Sequence, residues 1–225
     1  MECLGRWHKM SYCVFQYETE INIEDVRKSL VDMVFRCLES NKPITKAEFY
    51  ARIPKLLSGS YPERAGKSVR TSLDALLWKY TELTGKYCGC QYWSAKAKSL
   101  FDQELREKYC DSPSMKDACL LANCLCKKGL LDDKRFEHEH VFPKKALIKL
   151  LRGLPESSIS SDKIGELLDR LAVACVVLGS EHRSVNSVEE NSDNPWLRYK
   201  GEIRLVPNLD WTSSQRVLIE RAGLV

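Results

Sequence analysis

Residues 135–143 have the sequence RFEHEHVFP, in which aromatic residues and a valine surround a run of polar groups. This pattern predicts a short β-strand that ends at Pro143, because proline cannot donate a hydrogen bond to a sheet. Side chains alternate between the faces of a strand, so His138 and His140 are expected on one face and Glu139 on the other. A bulge, or the turn into Pro143, must redirect one of them if all three serve one site.

A second strand is predicted about 30 residues downstream, in the apolar run VACVVL at 173–178. Gly179 and Ser180 interrupt this run, and Ser180 is a suitable cap for a short helix that holds Glu181 and His182. The order strand, strand, helix is therefore expected in the C-terminal half, with a histidine in the first turn of the helix.

The rest of the chain has the apolar spacing of helices. The three N-terminal helices and the aromatic segment KYCGCQYWS (86–94) have the outline of a winged helix, and a plain helical bundle is the alternative. Basic and aromatic residues of that region would contact nucleic acid in the first case, namely Lys67, Arg70, Lys79, Lys86, Tyr87 and Tyr92. Helices are predicted at 23–40, after a capping box of Thr45 and Glu48, and at 68–83, 96–109, 115–131, 144–154, 162–171 and 213–222, with a last strand at 204–206.

Composition limits the classes of protein to consider. The chain has 225 residues, 44% of them hydrophobic and 29% charged, and no apolar run long enough to span a membrane. The first ten residues lack the apolar core of a secretion signal, so the cytoplasm is the expected compartment. A net charge of +4 permits a nucleic-acid partner without requiring one.

The ten cysteines predict core packing more than metal binding. Cys37, Cys119 and Cys175 lie in apolar runs, where a thiol behaves as a small core residue. Two Cys-x-Cys pairs, Cys88 with Cys90 and Cys124 with Cys126, leave a structural Zn²⁺ site as a disfavoured alternative, because neither has the spacing of a common zinc module. ATP binding is also excluded, because Gly66-Lys67-Ser68 lacks the earlier glycine of a phosphate-binding loop.

The segment Glu139-His140-Val141-Phe142-Pro143 resembles the first motif of HNH (ββα-metal) endonucleases, an acidic residue followed by histidine, two apolar residues and proline. The second strand and the helical His182 follow in the order of that family. The resemblance covers roughly residues 135–190. It implies that Glu139 and His182 bind a divalent metal, Mg²⁺ or Mn²⁺, and that His140 is the general base of phosphodiester hydrolysis. His138 is a further candidate, either as a metal ligand or as a residue that orients the site.

Several residues near this motif are candidates for substrate binding. Lys144 and Lys145 begin the helix after Pro143, and Arg183 follows His182; each is suited to contact a phosphate, although exposed helix positions are often basic. Two further candidates are Asn186 for the middle motif position and Arg198 for a phosphate contact.

The sequence thus predicts an α+β protein, mainly helical, with a ββα-metal-like nuclease motif in its C-terminal half. Residues 1–105 are expected to form a helical region that binds nucleic acid, and residues 106–225 the nuclease region. DNA is favoured over RNA, and restriction or phage defence is the expected role, with a homodimer cutting both strands. The alternatives are a non-catalytic DNA-binding regulator with a structural metal, and a nuclease subunit that a partner activates.

Overall fold

The computed structural model of the chain describes residues 22–53, 65–82, 92–109, 135–185, 191–207 and 211–225. Helices dominate these residues, and one small antiparallel sheet lies in the C-terminal half, so the predicted α+β class is confirmed. The elements are α1 (Ile23–Glu39), α2 (Lys46–Arg52), α3 (Val69–Glu82), α4 (Ala95–Tyr109), β1 (Phe136–His140), α5 (Lys144–Arg152), α6 (Ser161–Leu171), β2 (Ala174–Leu178), α7 (Gly179–Val185) and α8 (Ser213–Ala222).

The helix ends follow local sequence signals. The capping box is present: the Thr45 hydroxyl accepts a hydrogen bond from the backbone N–H of Glu48, and the Glu48 carboxylate accepts one from the N–H of Thr45. Helix α8 covers the predicted residues and ends at Gly223, whose φ of 68° is the left-handed conformation that glycine adopts without strain. The predicted helix at 115–131 lies outside the described residues.

Strands β1 and β2 pair without interruption, from Phe136 opposite Leu178 to His140 opposite Ala174. No bulge redirects a side chain within this register, so His138 and His140 share one face of β1 and Glu139 lies on the other. The alternation expected from the sequence therefore persists up to the last residue of the strand.

Two short segments extend the sheet beyond β2. The backbone of Val176 exchanges hydrogen bonds with residues 92–94, donating to the Tyr92 carbonyl and accepting from the N–H of Ser94. Ser94 in turn forms a single antiparallel bridge with Leu205, within the strand predicted at 204–206. Residues 92–94, expected in a wing hairpin, thus pair with the sheet of the C-terminal half, and the remainder of that hairpin lies outside the described residues.

Two main apolar clusters form the core of the described residues, and a smaller one that includes Phe136 and Val176 covers the His140 face of the sheet. One joins α1, α2 and α3 to α5 and α6, so it contains residues from both sides of the predicted boundary at 105/106. The other packs against the Glu139 face of the sheet and includes Cys175, Val177, Trp196 and Tyr199. Within the described ranges, no helix is long and apolar enough to cross a membrane.

Candidate active site

The Glu139 carboxylate lies at the centre of the candidate site, only 6% exposed, where β1 meets α7. Its Oε1 atom is 2.8 Å from a guanidinium nitrogen of Arg198, and its Oε2 atom is 3.1 Å from Nδ1 of His182. The structure therefore brings Glu139 and His182, separated by more than forty residues of chain, into direct contact. It also adds Arg198, a residue that the sequence analysis placed at a phosphate.

Helix α7 positions His182 because it starts directly where β2 ends. The first helical residue, Gly179, donates its N–H to the carbonyl of Arg135 beside β1. The buried carboxylate of Glu181 accepts hydrogen bonds from the N–H of Leu178, at 2.9 Å, and from the hydroxyl of Ser94, at 2.6 Å. These contacts fix the first turn of α7 against the sheet and direct the neighbouring His182 toward Glu139.

Arg198 connects the two segments that carry the site. Its guanidinium donates to the carbonyls of His140 and Val141 at the end of β1, and to that of Val185 at the end of α7. The 3-10 turn that carries it, Pro195–Tyr199, is anchored by Trp196, which is fully buried and donates from Nε1 to Gln215. Trp196 is thus a core residue that holds this turn in place, and Arg198 is a buried partner of Glu139 with 6% exposure.

Burial and charge act in opposite directions on Glu139. Burial raises the pKa of this carboxyl, and the charges of Arg198 and His182 oppose that shift. The Oε2 atom contacts Nδ1 of His182 at 3.1 Å, and the hydrogen bond from His182 also opposes the shift. A buried carboxylate oxygen in this state has capacity for a further cationic or donor ligand.

His140 lies on the other face of β1, in a different environment. Its ring packs against Trp78 of α3, with centroids 5.4 Å apart and the planes tilted by 59°. Burial lowers the pKa of His140 to about 4, and the charges of Lys144 and His138 lower it further, whereas Asp74 opposes the shift. The imidazole is therefore neutral at pH 7, and its buried Nε2 atom has no hydrogen-bond partner in the described part of the chain.

Lys144 links His140 to the helical half of the molecule. Its Nζ atom is 3.1 Å from a carboxylate oxygen of Asp74 and 4.9 Å from the centre of the Trp78 ring. Trp78 is 43% exposed, which is unusual for so large an apolar side chain. An exposed indole, an ammonium group and a neutral imidazole thus lie together on one surface.

The other predicted site residues are distributed around this centre. His138 is partly buried on the His140 face of β1, opposite Val176 and away from the Glu139 carboxylate. Lys145 on α5 and Arg183 on α7 are exposed, and Asn186 lies outside the described residues. Local sequence patterns predict no role for Glu181, Asp74 or Trp78, because these residues act through contacts between distant segments.

In the described part of the chain, Glu139 and His182 are the candidate metal ligands that lie close together. Within the described ranges, no cluster of three or more histidine, cysteine, aspartate or glutamate residues is arranged to hold a metal ion. A cation at Glu139 and His182 would therefore take its remaining ligands from water and substrate. The buried Cys37 and Cys175 act as core residues, as predicted, and both Cys-x-Cys pairs lie outside the described residues.

Comparison with known proteins identifies no relative of this chain. No protein-family model matches the chain, and neither a curated protein nor a solved structure matches it.

Proposed function

We propose that the chain is a metal-dependent endonuclease of the HNH type, which hydrolyses phosphodiester bonds in DNA. The observation that carries this proposal is the contact between Oε2 of Glu139 and Nδ1 of His182 at 3.1 Å. These atoms belong to the two residues that the resemblance assigns to the metal, and they approach each other from segments far apart in the chain.

The order of elements supports the proposal. Strands β1 and β2 form an antiparallel pair, and α7 follows β2 directly and packs against both strands. This is a ββα arrangement in which α5 and α6 are inserted between the strands. The acidic-His motif ends the first strand and the second histidine begins the helix, the positions expected from the family resemblance.

The distance between the two ligand atoms suits a small divalent cation. Adjacent ligands of an octahedral ion, each about 2.1 Å from it, are roughly 3 Å apart. The Oε2 atom already contacts His182, and its second lone pair is the one that would bind a cation. When bound, the cation would polarise a phosphate oxygen and stabilise the leaving group.

His140 is the proposed general base. Its neutral imidazole is able to accept a proton at pH 7, and its low pKa makes it a weak base without substrate. A phosphate anion beside Lys144 and His140 would raise the pKa of His140 toward its usual range, because it offsets the positive charge nearby. Since His140 and Glu139 lie on opposite faces, the substrate must cross the end of β1 to contact both.

One observation favours a second candidate function. Arg198 already neutralises Oε1 of Glu139 and connects three backbone carbonyls, which is also what a purely structural ion pair would do. In that case the chain is a non-catalytic DNA-binding regulator, or a nuclease subunit that requires a partner for activity. The proposed nuclease, by contrast, uses Arg198 to hold Glu139 in place and is active alone, with a homodimer cutting both strands of a DNA in defence or restriction.

A plasmid-nicking assay with Mg²⁺, with Mn²⁺ and with EDTA tests the nuclease. We expect metal-dependent cleavage that is lost in His140→Ala. We also expect His182→Leu to abolish cleavage and His182→Asn to retain it, because an asparagine oxygen replaces the imidazole nitrogen as a ligand. Both His182 variants should fold, since the side chain is 35% exposed.

Glu202→Gln is the control, because it removes an exposed charged group outside the candidate site without changing Glu139, His140 or His182. It should cleave at close to the wild-type rate. Absence of cleavage with either metal, together with retained DNA binding, would favour the regulator. Cleavage that appears only with a co-purified partner would favour the activated subunit.

A further inference from the structure

An open cavity of about 800 Å³ lies between α3 and α5, in the helical half of the molecule. Four cationic side chains line it: Arg70 from α3 and Lys145, Lys149 and Arg152 from α5. Asp74 is the one acidic residue among its described lining residues. The cavity is thus strongly positive.

The sequence of α5 explains how the cations come to share one surface. Lys145, Lys149 and Arg152 are four and three residues apart, a spacing that places them on one side of a helix. Leu147, Ile148 and Leu151 are buried on the core side. Core packing therefore fixes the rotation of α5 and turns its basic side toward α3.

The positive charge of the cavity is not compensated within the described part of the protein. All four cations are exposed, and none of them forms an ion pair with another described residue. Asp74, the nearest acidic group, is already paired with Lys144 at 3.1 Å. Four like charges around one concave surface repel each other, and this repulsion is relieved when an anion binds.

The cavity leads directly to the candidate active site. Arg70, Asp74 and Trp78 are spaced by four residues along α3 and lie on the same exposed side of that helix. Trp78 at the end of this row packs against His140, and Lys144 joins Asp74 to Trp78. A chain of phosphates bound in the cavity would therefore extend toward the proposed base.

We propose that this cavity is a binding site for the phosphate backbone of duplex DNA, and that it holds the DNA segment next to the one that reaches His140. The proposal rests on the proposed function in taking nucleic acid as the anion. Arg70, Lys145, Lys149 and Arg152 contact phosphates, and they position the substrate without taking part in the reaction.

Fluorescence anisotropy with a labelled 20-base-pair duplex, in EDTA and over a series of salt concentrations, tests the proposal. The double variant Lys149→Ala/Arg152→Ala should bind roughly tenfold more weakly, and the slope of log Kd against log[salt] should fall by about 2, since each phosphate contact contributes about one unit. The control Lys28→Ala/Lys200→Ala removes the same charge from exposed positions outside the cavity and should leave both quantities unchanged.

Each result decides the proposal. Weaker binding and a reduced slope in the cavity variant alone support it. Wild-type binding by the cavity variant, an equal loss in the control, or no binding by the wild-type protein overturns it. Because the binding assay is run in EDTA, it does not depend on cleavage. Cavity-dependent binding in EDTA, together with no plasmid cleavage in Mg²⁺ or in Mn²⁺, would refute the nuclease and leave this inference intact.

Discussion

The two faces of β1 place the neighbouring residues Glu139 and His140 in different environments. On one face the Glu139 carboxylate is buried with Arg198 and His182 and is surrounded by the apolar cluster of Trp196 and Tyr199. On the other face His140 packs against the exposed Trp78, next to Lys144 and the cationic cavity. The first face is closed and compensated by charge, and on the second the largely buried His140 lies beneath the partly exposed Trp78.

The difference follows from the chemistry of the two side chains. A buried carboxylate that remains charged needs a cationic partner, and the charges of Arg198 and His182 favour the charged form of Glu139 against the effect of burial. An imidazole loses its proton instead and remains neutral, so His140 needs no counter-charge. Burial therefore produces an ion pair on one face and a lowered pKa on the other.

The largest expected effect comes from removing Arg198. Arg198→Met should lower the free energy of unfolding by about 3–5 kcal/mol, because it leaves Glu139 buried without its main partner. Urea denaturation at pH 7 measures this loss. Arg204→Met, which removes an exposed arginine that donates to the carbonyls of Gly223 and Val225, should cost under about 1 kcal/mol.

A second substitution sharpens the same test. The double variant Arg198→Met/Glu139→Leu should recover part of the lost stability, since no unpaired charge remains buried. If Arg198→Met is as stable as the wild type, the Glu139 face does not depend on charge compensation and the contrast between the two faces is incorrect.

The next largest effect is the loss of folding stability at low pH that the largely buried His140 should cause. The pKa of His140 is about 4 in the folded chain and near 6.5 when unfolded, so its contribution to stability is complete above pH 6.5 and is lost as the pH falls toward 4. The wild type should therefore lose up to about 3 kcal/mol over this range relative to His140→Gln.

Urea denaturation of both proteins from pH 7 to pH 4 gives this difference directly. The raised pKa of Glu139 acts in the opposite direction, and it cancels because both proteins contain Glu139. Parallel pH profiles for wild type and His140→Gln would show that His140 is protonated as easily in the folded state as in the unfolded state.

The smallest effect isolates the charge of Lys144. Lys144→Met should raise the pKa of His140 above its value of about 4, by less than about one unit, because a nearby positive charge is removed. Titration of the histidine ring protons by NMR measures the change. Lys145→Met, which removes a charge that faces the cavity, should leave the pKa of His140 unchanged, and an equal shift in both variants would contradict a specific role for Lys144.

The sequence predicted local structure well because local rules determine it. The strands, the helix that carries His182 and the capping box of Thr45 all follow from side-chain spacing and from hydrogen bonds between near neighbours. The contact between Glu139 and His182 was predicted only with the help of a family resemblance. Periodicity alone carries no information about which distant segments meet.

Other features of the site could not be predicted from the sequence, because they depend on contacts between distant segments. The sequence predicted a phosphate contact for Arg198. Because Trp196 is packed in the core, the guanidinium of Arg198 lies against Glu139. In the sequence, Asp74 and Trp78 look like ordinary residues of an amphipathic helix. Their role depends on the contacts that Lys144 of α5 makes with both of them. The pairing of residues 92–94 with β2 was also unexpected, because those residues are some eighty positions from their partner.

The sequence by itself determined the elements of this protein and the chemistry available to it: two strands, their flanking helices, and histidine and carboxylate groups at the end of β1. Tertiary structure decided which of these groups are charged, neutral, buried or exposed. The physical reason is that secondary structure arises from neighbours within a few residues, whereas the protonation state and the partner of a side chain depend on every segment packed around it.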